Sequence, residues 1–555
     1  MAKQPMKKVV ADLSTVSRRD LLRTLGPAAA IGLAGCLGGN GDDDGNGDNG
    51  GNGENGADDD DQDLAAVQSG GTLDAGMQVG IQSLDPRSVT GLQSFQISYN
   101  VYSKLLRWGR DGDDLFIVGD LAREWEWEDD TTLVMELFED AVYHNGDPVT
   151  ADDVVYTIET MYENPSHTAA LMFSSEIFPE AVDEHTVSID TGENPFASLE
   201  ANMAFVLGVT SEAIDQEYDL SREPIGSGPF EFVEWVDGSH ITLERFDDYW
   251  KADEEGNQLP YLDGIEFTIY PDDGTKIRDL ETGGLDWIDL VPWRDVESVQ
   301  NNDDLRTIRS GAGAFMGIMQ FNTAEEPYSD INVRKAVLHA VDWDVILDIT
   351  YHGHAERGNN NPLPPDLGWD FGGDDPYQGQ DLELAQEYLE QAEVDHTQPY
   401  TDYVTRGYSH RQSMLELIHE QISTELGMQP ELAIEDGSVV FEMNATNQFG
   451  ITASGFNGMW DPDQIFSANL AEGAFFNYGA YENDELNDLL VEARRTMDRD
   501  GRIDLYDQMY DIYTEDAAKY YPYWDNIAYA MQPTVRNYTP LIDQTWYFER
   551  VWLDE

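Results

Sequence analysis

Tyr143-His144-Asn145-Gly146-Asp147-Pro148-Val149-Thr150-Ala151-Asp152-Asp153-Val154 is the stretch that sets the reading of the fold. Pro148-Val149-Thr150 followed by Asp152-Asp153 is a helix cap, and Thr150 with Asp153 makes the reciprocal side-chain and backbone pairing of a capping box. A helix is predicted across Ala151 to Tyr162. Just ahead of it, Thr132 to Phe138 alternates with period two, as a half-buried strand does. His240 to Phe246 and Gly264 to Tyr270 repeat that alternation. Ile331 to Ile349 is apolar at helical spacing through Val333, Val337, Ala340, Val341 and Val345, which predicts a helix. Asp381 to Ala392 does the same through Leu384, Tyr388 and Leu389. Near the C-terminus, Leu486, Leu489, Leu490 and Ala493 mark one helix, and Ile503, Tyr506, Tyr510 and Tyr513 another. Strands and helices intermix without a fixed repeat, so the body is mixed α/β and neither a solenoid nor a propeller. Two Gly/Asn/Pro-rich stretches, Gly358 to Pro365 and Gly368 to Gly379, read as surface loops.

The chain has 555 residues, with 109 acidic against 31 basic side chains and a formal net charge of −78. Its length allows two large lobes, and with 41 % apolar and 11 % aromatic residues the composition is not that of a disordered chain. A field this negative repels phosphate backbones and anionic lipid, which argues against nucleic-acid binding and polybasic membrane attachment. So many carboxylates repel one another at low ionic strength, and concentrated salt screens that repulsion. The excess therefore reads as adaptation to a very salty medium.

Residues 1–35 run against the acidic trend, with six bases and two acids. Ser17-Arg18-Arg19-Asp20-Leu21-Leu22-Arg23 looks like a twin-arginine export signal, and the apolar run Leu25 to Gly35 is too short to span a bilayer but suits a signal segment. It ends Leu33-Ala34-Gly35-Cys36, which resembles a lipobox. Cys36 is the only cysteine, so the fold contains no internal disulfide, and lipid modification at Cys36 is expected. Residues 36–69 form an acidic Gly/Asn/Asp-rich tether with ten acids and no base between Asn40 and Asp63. Export, anchor and tether together describe a globular body displayed on the outer face of the cytoplasmic membrane.

Catalytic signatures are absent from the sequence: no GxSxG, HExxH, GxxxxGK[ST] or paired CxxC. His419-Glu420 lacks a second histidine one turn later, and His352-x-His354 reads as solvated loop histidines before it reads as a metal pair. No cofactor and no metal is implied.

Several stretches in order resemble the solute-binding proteins of peptide-type ABC importers, the oligopeptide- and dipeptide-binding family. They are Leu84-Asp85-Pro86, Asn100 to Leu106, Leu121-Ala122-Arg123-Glu124-Trp125, the Tyr143–Val154 stretch, Gly226-Ser227-Gly228-Pro229-Phe230, Glu244 to Trp250 and Pro260 to Ile265. Gly283 to Trp287, Phe321-Asn322-Thr323, Val333 to Val337, Asp461-Pro462-Asp463 and Tyr478 to Asn483 complete the series. The resemblance implies an α/β, two-lobed periplasmic-binding-protein-like fold with an interlobe ligand cleft and two hinge-crossing segments. It places lobe one at 70–315 with a C-terminal return at 529–555, and lobe two at 316–528. It also implies a monomeric receptor whose permease and ATPase are separate chains, with closure around the ligand as the signal the importer reads.

Within that resemblance the informative segment is Ser454-Gly455-Phe456-Asn457-Gly458-Met459-Trp460-Asp461-Pro462. Peptide binders of the family carry an aromatic residue here, matched by Phe456, and an acid that neutralises the ligand's α-amino group, where this chain has Met459. Asp461 either takes over that charge by a slip in register or is a turn residue. Arg406 or Arg411, ahead of a helix beginning near Gln412, is the candidate counter-charge for a ligand carboxylate, with a surface pairing as the alternative. Trp460 and Tyr520 to Trp524 are core residues or stacking surfaces for sugar, so an oligosaccharide ligand stays open beside a peptide. A secreted hydrolase and a surface adhesin are the competing classes.

Overall fold

The computed structural model describes residues 67–554, apart from 90–91, 112–113, 165–172, 174, 312–314, 365–366, 407–408, 458, 475 and 542. Signal, Cys36 and nearly all of the tether lie outside these residues. The alternating segments form strands Thr132–Leu137, His240–Arg245 and Gly264–Ile269, within a residue of the predicted ends. The capping box forms as predicted and opens helix Ala151–Glu163, with the Thr150 amide donating to Asp153 Oδ2 at 2.8 Å.

Two sheets organise the body. The first has seven strands in the spatial order Arg306–Arg309, Ala528–Met531, Trp287–Ile288, Thr72–Met77, Gly264–Ile269, His240–Arg245 and Phe230–Val236. Thr72–Met77 lies parallel to both of its neighbours, and the flanking pairs are antiparallel. The second sheet runs Ala355–Arg357, Tyr523–Asp525, Phe315–Phe321 and Ile451–Asn457, with Lys519–Tyr520 also paired to Phe315–Phe321. A further sheet is antiparallel and four-stranded, in the order Ala122–Asp129, Thr132–Leu137, Thr186–Asp190 and Phe178–Asp183. The chain passes from the first sheet to the second between Arg309 and Phe315, and returns between Asp525 and Ala528. Two crossings of this kind make the covalent link between the halves a narrow ribbon.

Two expectations need correction. Ile331 to Ile349 is not one helix but two, Ile331–Ala340 and Trp343–Tyr351. Asp342 breaks the run because its carboxylate caps the second helix, accepting from the Val345 amide at 3.1 Å, while its own amide donates to Gln421 Oε1 at 2.7 Å. The stretches 358–365 and 368–379 are not surface loops throughout: Asn360, Leu363, Trp369, Phe371 and Tyr377 are buried. They are pinned over helix Arg499–Asp516, Asn360 donating to Thr514 Oγ1 at 2.8 Å and accepting from the Tyr513 hydroxyl at 2.8 Å.

Three of the segments that carry the family resemblance meet in space. Helix Leu92–Val101 ends against Gly226-Ser227-Gly228, where the Gly228 amide donates to Val101 O at 2.8 Å and Ser103 Oγ donates to Ser227 O at 2.9 Å. A Cβ at 226 would sit 1.9 Å from Val101 O, and one at 228 would sit 2.7 Å from it, so both positions require glycine. His144 closes the other side. Its amide donates to Gly226 O at 2.8 Å, its Nδ1 accepts from the Gly226 amide at 3.3 Å, and its Nε2 lies 3.1 Å from Gly228 O.

One ring nitrogen of His144 thus accepts while the other donates, which requires the neutral imidazole. Burial pushes the ring down to about 4, against the opposing pull of the Gly228 carbonyl. The unfolded ring takes a proton near pH 6.5 that the native ring refuses, so this contribution is full above that pH and declines as the pH falls toward 4. Urea unfolding in molar KCl should show a loss of up to about 3 kcal/mol from this group across that window, and His144→Gln should flatten the slope. Identical pH slopes for the two proteins would contradict the assignment.

Candidate functional site: the interlobe cleft

Strand Ile451–Asn457 delivers the informative segment, and its start is fixed by a buried carboxylate. Asp402 Oδ1 accepts from the amides of Gly450 at 2.8 Å and Ile451 at 2.7 Å, while Oδ2 accepts from His419 Nε2 at 2.9 Å. His419, whose sequence context offers only half of a metal motif, is a partner in this clamp. Seven consecutive antiparallel pairs with Phe315–Phe321 then hold the strand as far as Asn457.

The sequence-selected residues separate into distinct surroundings. Phe456 is buried and meets Phe476 edge-on at 5.2 Å. Met459 is buried in an apolar cluster shared by both lobes. Trp460 stacks on Trp108 of lobe one, with ring centroids 4.0 Å apart and planes 6° from parallel. Asp461 caps helix Pro462–Asn469 and is gripped by Arg502, whose Nη1 donates to Oδ2 at 2.9 Å and whose Nη2 donates to Oδ1. Burial pulls the Arg502 guanidinium down, but the Asp461 charge and the hydrogen bonds of Asp461 and Tyr506 more than reverse this and hold it above its usual range. Arg406 is 65 % exposed and lies 3.7 Å from Asp436, the surface pairing that the sequence leaves open. Arg411 is buried, 5.6 Å from the Phe315 ring centroid. Its charge acts on Asp525, whose carboxyl burial pushes well above the usual range and Arg411 partly draws back. The Asn457 side chain and Gly458 lie outside the described residues.

Beside Trp460 is a cavity of about 630 Å³. Trp108, Phe116, Trp125 and Glu200 line it from lobe one, and Trp369 and Arg499 from lobe two. Trp369 donates its Nε1 to Trp460 O at 2.7 Å, and the Arg499 guanidinium covers its ring at 4.2 Å. Further contacts join the lobes along this edge: Ser198 Oγ donates to Asp463 Oδ2 at 2.5 Å, and the Ala197 amide donates to Arg494 O at 2.9 Å. Sequence reasoning missed Trp108, Ser198, Trp369 and Arg502. Trp108 closely follows the Asn100–Leu106 segment, yet nothing local marks its partner more than 350 positions away, and Trp369 sits in a stretch that reads as solvent-facing. Among the described residues no group of three or more His, Cys, Asp or Glu side chains is placed to hold a metal ion, and His354 Nδ1 faces Arg309 Nη2 at 3.1 Å. The arrangement of aromatic faces, paired charges and two joined lobes is suited to enclosing a solute.

The family model described as bacterial extracellular solute-binding proteins, family 5 Middle, matches residues 117–477. The chain belongs to this family. Its relatives include the glutathione-binding protein GsiB of Pectobacterium atrosepticum, 24 % identical over 501 residues that cover 87 % of this chain and 94 % of that protein. The oligopeptide-binding protein AppA of Bacillus subtilis is 27 % identical over 424 residues, covering 71 % and 76 % of the two chains. Among solved structures, DppA from Helicobacter pylori in complex with the peptide STSA matches with a TM-score of 0.76 at 22 % identity, covering 88 % of this chain and 99 % of that one. That likeness is one of fold, the two-lobed fold of family 5 binding proteins. These relatives are binding proteins rather than enzymes.

Arg502 and Asp461 are each more than nine-tenths buried in their side chains. Removing one partner strands a buried charge. Arg502→Met should therefore cost about 3–5 kcal/mol in urea unfolding, and Asp461→Asn in the same chain should recover most of it. Equal stability of Arg502→Met and the parent protein would show that the pair is not closed in solution.

Proposed function

We propose that the chain is the substrate-binding component of an ABC importer, capturing a di- or oligopeptide by closure of its lobes and delivering it to a membrane permease with a separate ATPase. The lobes in this reading are 70–315 with 529–555, and 316–528. The observation that carries it is the stacking of Trp460, just past the end of strand Ile451–Asn457, on Trp108 of lobe one beside the cavity, so that a solute held there is enclosed from both sides. Relatives named for binding oligopeptides, dipeptides and glutathione support a peptide ligand. A relative in Haemophilus influenzae is named for binding haem, so ligand chemistry in the family extends beyond peptides. The tryptophans around the cavity favour oligosaccharide as the second reading, through stacking on sugar faces.

The finer parts of the proposal come from sequence: twin-arginine export through 1–35, lipid anchoring at Cys36, a tether at 36–69, life in a very salty medium and a monomeric receptor. No catalytic role is proposed.

Met459 offers no charge, and the Asp461 carboxylate is taken by Arg502. A peptide ligand is therefore held without a carboxylate from this segment on its α-amine, and we assign its carboxylate to Arg411, whose charge also acts on Asp525. Calorimetry in molar KCl should find N-acetylated and free-amine peptides within about ten-fold of each other. C-terminal amidation or Arg411→Met should weaken binding ten- to a hundred-fold, the range of a charge-assisted hydrogen bond. Binding of oligosaccharides with no response to peptides would replace the peptide reading with the second one.

A further inference from the structure

The lobes touch through side chains that need no solute between them. The Trp108–Trp460 stack, the Ser198–Asp463 hydrogen bond and the Ala197–Arg494 backbone bond all cross from one lobe to the other along one edge. None adds a net charge to the interface. The indoles are neutral, and Asp463 already lies 3.3 Å from Arg494 Nε within its own lobe. Stacked aromatic pairs contribute beyond the area they bury, and both rings are more than nine-tenths buried.

Against these contacts stands repulsion between the halves. Residues 316–528 carry 41 acids and 10 bases, and the rest of the body after residue 69 carries 56 acids and 15 bases. Bringing two such bodies together is costly where the screening length is about 10 Å, at 0.1 M salt, and far less so where it is about 3 Å, at 1 M. We propose that Trp108 and Trp460, with Ser198 and Asp463, form a latch that holds the lobes closed without ligand, and that ionic strength sets whether the latch engages. Affinity for the solute then follows the fraction of molecules in the binding-competent state, so Ser198, Asp463 and salt act on retention without touching the solute, while Trp108 and Trp460 also line the cavity. This inference rests on the closing-lobe reading above and is independent of the ligand being a peptide.

The test is a single-molecule distance measurement on the full chain carrying Cys36→Ser, stripped of bound solute. Cysteines at Val182 and Val491, 61 % and 38 % exposed and on opposite lobes, carry the dyes. KCl is varied only over the range in which circular dichroism shows the native fold. The closed-to-open ratio should rise with KCl. Trp108→Ala should lower it about ten-fold at each salt concentration, Ser198→Ala about three-fold, and Trp108→Phe less than either. Unchanged distances in Trp108→Ala would overturn the latch, and a ratio flat in KCl would overturn its control by salt. A single distance that neither salt, nor any variant, nor added solute moves would instead remove the closing-lobe reading on which the inference rests.

Discussion

Three distant stretches of backbone meet at Gly226 and Gly228 with no room for a side chain, and the lobe that begins the chain is assembled around that contact. The end of helix Leu92–Val101 lies on one side, His144 on the other, and strand Phe230–Val236 leaves from the middle. Because the distances are backbone to backbone, the approach admits no substitution by repacking. The C-terminal return is tied to the same helix, with Gln96 donating to Gln544 O and Asn100 to Trp546 O, each at 2.7 Å. These contacts tie the end of helix Leu92–Val101 to segments from the middle and the C-terminal end of the chain.

The charge of the molecule is distributed in a way that couples folding to salt. The five lysines that follow the tether, Lys104, Lys251, Lys276, Lys335 and Lys519, have side chains at most 13 % exposed. All but Lys335 answer a buried acceptor: Lys251 faces Asp120, Lys276 faces Asp289, Lys519 faces Gln320 and Tyr478 O, and Lys104 donates to Ala204 O at 2.5 Å. Burial pulls Lys104 down to about 8, against the nearby Asp543 and Asp120 charges. With the lysines drawn inward, the surface is left to carboxylates and a few arginines, and the two halves repel each other through water unless ions intervene.

Much of the fold was legible in sequence because it follows from local rules. The Thr150–Asp153 box and the three alternating strands needed only neighbours in the chain. Local rules failed where a residue's role is set at long range. Asp342 reads as one of several polar residues on an amphipathic helix until its carboxylate is seen capping the second helix at Val345. Asn360 and Trp369 lie in Gly/Pro-rich sequence, the usual mark of a loop, yet their partners are Thr514 and Trp460. The site was half legible. Trp460 does lie against the other half of the chain, but the residue opposite it is Trp108, which no local pattern marks. Asp461 admits two roles in sequence, and only the position of Arg502 shows that its charge is already answered.

This molecule is proposed to enclose a peptide between its lobes. The most direct measurement is native mass spectrometry of the full chain, purified in high salt from rich medium and exchanged into a volatile salt, to weigh whatever solute it retains. Mass increments of short peptides, released when the chain is unfolded and sequenced by fragmentation, are the expected result. Retained sugar, or an empty protein that takes up no peptide from a defined mixture, would contradict it.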